Sequence, residues 1–98
     1  MSAIIDVVTE IKMPEISRFF GIVIAMFYRE HPPPHFHAKY GDSEAQIQID
    51  PPAVLNGSLP PRALALVIEW AALHREELLE NWERLRTSQQ PNKIEGLS

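Results

Sequence analysis

Nine prolines, most of them grouped at 32–34, 51–52 and 60–61, partition this chain more firmly than any other feature. Proline fixes φ and has no amide hydrogen, so neither a helix interior nor a central strand can run through such a group. Each group therefore marks a boundary, and the elements lie between them. The segments before Pro60 are short, and the one long uninterrupted stretch follows Pro61.

In the short segments, β-branched and aromatic residues dominate Ile16 to Phe20 and Ile22 to Tyr28, with Gly21 between them as a bulge or bend. The second run is apolar at nearly every position, the pattern of a strand covered on both faces. Phe36 to Tyr40 supplies a third strand and Gly41-Asp42 a tight turn. In Glu44 to Ile49, Ala45, Ile47 and Ile49 alternate with Glu44, Gln46 and Gln48, the period of a strand with one wet face. Val54-Leu55 pairs briefly before an Asn56-Gly57 turn.

Ser58 is the expected helix cap, with Pro60 and Pro61 in the first turn, where amide groups lack intrahelical partners anyway. The spacing predicts one helix to about Arg86, roughly 40 Å long at 1.5 Å per residue. Leu64, Val67, Ala71, His74, Leu78, Trp82 and Leu85 form the stripe a sheet would bury. Leu66, Trp70 and Leu73 lie nearly opposite, so the first half of the helix is apolar all round and needs a second cover. Either the N-terminal segment or a second protein chain can supply that cover, and these three residues are the expected interface with a second copy or a small partner protein.

The fold class expected is α+β: a small antiparallel β-meander of three or four strands packed against one long C-terminal helix. Residues 13–86 form the domain. Residues 1–12, where Ile5, Val7 and Ile11 alternate weakly with polar neighbours, read as an extension or an edge strand, and residues 87–98 as a flexible polar tail. At 98 residues with 45% apolar content the chain can bury one core. Without cysteine that core depends on packing alone, which fits a reducing compartment and an expected cytoplasmic location. No apolar run approaches the roughly 20 residues of a membrane span. Asp6 and Glu10 precede the first lysine, Lys12, the wrong order for a signal peptide. A net charge of −4 argues against broad, non-specific DNA or RNA binding.

The densest chemistry lies in His31-Pro32-Pro33-Pro34-His35-Phe36-His37, beside Arg29, Glu30, Lys39 and Tyr40. In extended polyproline II at about 3.1 Å per residue, His31 and His35 stand too far apart to share an ion. His35 and His37 project to one face of a strand, about 6 to 7 Å apart, and can both reach a metal such as zinc. Two ligands are too few, so Glu44, Asp42, His74 or a partner would have to complete the set. A second reading is acid–base catalysis: His35 and His37, backed by Lys39 and Tyr40, are the side-chain types of a metal-independent ribonuclease, which needs no cofactor. The third is scaffolding, with Phe36 in the core and both imidazoles turned the other way to hydrogen-bond backbone groups.

The string Met13-Pro14-Glu15-Ile16, then Gly21-Ile22, His31 to His37, Tyr40-Gly41, Glu69-Trp70 and Asn81-Trp82, resembles the bacterial family called domain of unknown function 4160. The match runs over about residues 13–86. Similar proteins begin at the Met-Pro pair, so residues 1–12 are a departure. The resemblance carries no activity with it. Similar proteins are often encoded beside another small domain, which implies a two-gene, toxin–antitoxin-like module in which this chain is the interaction component.

Overall fold

The computed structural model describes residues 14–98, so the extension expected over residues 1–12 lies outside them. Five strands follow in order: β1 (Glu15–Phe19), β2 (Ile22–Ala25), β3 (His35–Tyr40), β4 (Ser43–Gln48) and β5 (Ala53–Gly57). They pair antiparallel with their sequence neighbours to form one meander sheet. Among the described residues two helices follow the sheet, α1 (Pro61–Leu73) and α2 (Arg75–Arg86). Among the described residues, no helix is long and apolar enough to cross a membrane.

The α+β class is as expected, but two of its details are corrected. Val54-Leu55 belongs to a full fifth strand, so the sheet exceeds three or four strands. The single long helix is two, because His74 leaves the helical region at φ −116° and ψ 29°. No glycine or proline announces that break. Locally, Phe20 and Gly21 are the two positive-φ residues of the β1–β2 hairpin, rather than a bulge between runs. Pro60 stands at the α1 N-cap, where Ser58 was expected, and no side chain caps it.

Strand alternation decides which face α1 covers. Phe36 and Ala38 pair with Ile47 and Ala45, and all four are essentially sealed from solvent. Trp70 packs against this face, its ring centroid 5.7 Å from that of Phe36 and 5.3 Å from that of Phe19. Its exposure is 0%, and its indole N–H donates to the Glu95 carbonyl at 2.9 Å. Trp70 is thus a core residue and not the interface residue the spacing suggested.

The second cover for α1 comes partly from this chain. Where a free tail was expected, Ile94 is buried and donates its amide to the Ile16 carbonyl at 2.8 Å. Lys93 Nζ reaches the Glu15 carbonyl at 2.9 Å, and Gly96 sits against Arg18 and Phe19. The segment therefore runs along the outer edge of β1. Asn81, fully buried on α2, clamps it by donating to the Asn92 carbonyl and accepting the Asn92 amide, both at 2.8 Å. An apolar periodicity search passes over Asn81 because the residue is polar, yet its two backbone bonds make its burial permissible.

One ion pair ties the end of β4 to α2: Arg75 lies 2.6 Å from Asp50. Its hydrogen bond holds the Asp50 carboxyl below the usual aspartate range. A depressed folded value means that the pair stabilises above the unfolded pKa of about 3.9 and loses its effect as pH falls through the lower folded value. Asp50→Asn is therefore expected to melt slightly below the parent at pH 7 and level with it at about pH 2, as read by thermal scans.

Candidate metal centre

β2 ends at Ala25, and the chain turns through Arg29, at φ 55°, before β3 begins at His35. That turn brings Glu30 back over the start of β3. Alternation puts His35 and His37 on the face opposite Phe36, as expected. The two imidazole centroids lie 5.4 Å apart. Glu30 Oε1 stands 2.9 Å from His35 Nε2 and 2.9 Å from His37 Nε2. The three candidate ligand atoms all fall within 4.8 Å of one another.

Neighbouring groups orient both rings. Trp82 of α2 packs on His35 at 5.3 Å, and Phe27 meets His37 edge-on at 4.7 Å. The imidazoles are 7% and 5% exposed, whereas Glu30 retains 26% and forms the open side of the cluster. His35 Nδ1 lies 2.8 Å from the Pro33 carbonyl. A carbonyl can only accept, so Nδ1 carries the hydrogen, and in the neutral ring Nε2 presents a bare lone pair. His37 Nδ1 faces Glu44 Oε2 at 3.4 Å. Acceptors behind the outer nitrogen are what commits an imidazole to ligation through its other nitrogen.

The result is a crowd of acceptors. His35 Nε2 is buried, and although Glu30 Oε1 is near, the contact is not aligned as a hydrogen bond and no other partner among the described residues satisfies it. A neutral His37 can donate to Glu30 or to Glu44 but not to both. With His37 Nε2 donating to Glu30 at 2.9 Å, the buried His35 Nε2 lone pair still faces the same carboxylate oxygen, a contact that is repulsive unless positive charge lies between them. Either extra protons on the rings or one cation would supply it. In a tetrahedral site with bonds of about 2.0–2.1 Å, ligand atoms stand about 3.3 Å apart, so opening the 2.9 Å contacts by a few tenths of an ångström would admit an ion.

The other residues singled out from the sequence do not join the cluster. Lys39 is exposed and lies beyond His37 on the same face. Tyr40 is exposed on the opposite face, where it lines a groove with Phe20. The four residues of the ribonuclease reading therefore do not converge. His31 is exposed outside the cluster, and His74 pairs with Glu77 at the helix break. Glu44 supports His37 from behind instead of completing the ligand set. Sequence reasoning missed Glu30 as the third member of the cluster. Its only signal was adjacency to the loop, because the turn at Arg29 that returns it to the strand has no glycine to mark it.

A family model described as a domain of unknown function, number 4160, matches residues 21–83, a span that includes the whole of Glu30 to His37. No curated protein and no solved structure matches the chain.

Proposed function

The chain belongs to the domain of unknown function 4160 family, and on the geometry of Glu30, His35 and His37 we propose that it is a divalent-metal-binding protein. The observation that carries this reading is the convergence of two buried Nε2 atoms on one carboxylate oxygen, with the outer nitrogens already facing acceptors. Two imidazoles and one carboxylate are a donor set for zinc and its neighbours among the divalent transition metals. Three protein ligands leave a position for water or a substrate oxygen, and the open side is that of Glu30. The centre is thus of the kind that can do hydrolytic work, and the lack of cysteine fits a reducing compartment.

Untagged protein, stripped with chelator and titrated with zinc in a calorimeter, is expected to take up one ion per chain. The His35→Ala, His37→Ala double variant is expected to take up none while keeping the parent circular dichroism spectrum. Parent protein that binds no stoichiometric zinc, nickel or cobalt, or a double variant that binds as well as the parent, overturns the proposal.

The acid–base alternative draws less support, since Tyr40 stands on the other face and Lys39 outside the cluster. A second reading, an interaction component of a two-gene, toxin–antitoxin-like module, is favoured by a different observation: Phe20 and Leu73 are 59% and 66% exposed.

A further inference from the structure

We propose that the outer stripe of α1 is a homodimer interface, in which a second copy of this chain packs antiparallel across a twofold axis close to Leu66. Arg62, Leu66, Glu69 and Leu73 follow one another at intervals of four, three and four, so they share one side of the helix. The buried residues Ala63, Val67, Trp70 and Ala71 lie on another. Arg62 and Glu69 are exposed and join no salt bridge among the described residues. Seven residues apart, they stand about 10 Å from each other along the axis and cannot pair within one helix.

The same face carries a hollow and a projection. Phe20, Tyr40, Pro60 and Leu66 border a groove of about 210 Å³ beside the first turns of α1. Leu73 projects from the last turn, 66% exposed. Phe20, set at the tip of the β1–β2 hairpin, is 59% exposed at the lip of this groove.

One symmetry operation satisfies all of these features together. In an antiparallel pair centred on Leu66, facing positions are nearly equidistant from it. Arg62, four residues before, meets the partner's Glu69, three residues after. Leu73, seven residues after, falls opposite the partner's Leu59 and Pro60, at the mouth of the partner's groove. A twofold interface is self-complementary, so each copy contributes one projection, one hollow and both members of the charge pair. An unlike partner has no reason to match that internal arithmetic.

The test is sedimentation equilibrium of the full chain with a charge-reversal cycle on exposed residues. The parent is expected to run as a dimer. Arg62→Glu, which sets like charges opposite each other twice, is expected to weaken association about tenfold or more, and adding Glu69→Arg to the same chain is expected to restore it. Leu73→Asp is expected to give monomer with unchanged circular dichroism. A parent that stays monomeric at about 100 µM, a dimer that ignores Arg62→Glu, or a double reversal that fails to recover overturns the proposal. The cycle runs identically with and without zinc, so its outcome is independent of the metal centre.

Discussion

Trp70→Ala is expected to lower the unfolding free energy by about 3–5 kcal/mol, the cost of emptying a large aromatic site that the backbone cannot collapse around. Trp70 is fully enclosed between Phe19, Phe36 and His74, and its indole N–H holds the Glu95 carbonyl. Removal leaves a cavity where sheet, helix and C-terminal segment meet and strips that carbonyl of its donor. Against a typical total of about 5–15 kcal/mol, this brings the chain close to unfolding. Urea titration of parent and variant checks it. A loss below about 1 kcal/mol would return Trp70 to the surface role that helical spacing alone suggests.

Spacing misplaced Trp70 because it counts apolar faces on a helix without knowing what lies beyond the helix. The residues that close over Trp70 come from 93–97, where two apolar side chains, Ile94 and Leu97, stand in a polar stretch too short to show a period. The helix break at His74 was equally silent, being a change of φ and ψ at a residue that helices tolerate. The meander was legible, since alternation in β4 and the boundary prolines are local signals that tertiary contacts reinforced. The site was half legible. His35 and His37 are two residues apart on one strand, so alternation alone joins them. Glu30 reaches them through a loop whose path no periodicity describes, and Tyr40 was lost to the cluster by the same alternation that united the histidines.

The second large effect is thermal. At zinc one hundred times its dissociation constant, the proposed ligation is expected to stabilise the folded state by about 2.7 kcal/mol. For a chain of this size that corresponds to a rise in Tm of roughly 10–20 °C. Glu30→Gln keeps the shape of the side chain but removes the anionic oxygen that both Nε2 atoms face. Its zinc affinity is expected to drop by about 100-fold or more, so the same zinc concentration should move its Tm by less than about 3 °C. Without metal the order reverses: the new amide can donate to an imidazole lone pair, so the stripped variant is expected to melt at or above the stripped parent. Differential scanning calorimetry of both proteins, with and without zinc, reads all four values. Equal zinc shifts in parent and variant would remove Glu30 from the ligand set.

The segment laid along β1 also makes the two margins of the sheet unequal. Lys93, Ile94 and Gly96 cover the outer side of β1, whereas β5 is exposed at every residue and has no charged side chain between Ala53 and Gly57. Uncovered strand margins are where proteins add further strands and grow into fibres. Continuous growth needs two such margins on each unit, one to receive and one to present. Among the described residues this sheet has one, so two molecules that meet margin to margin leave no free sheet margin for a third strand system to extend, and growth of the sheet itself stops at the pair.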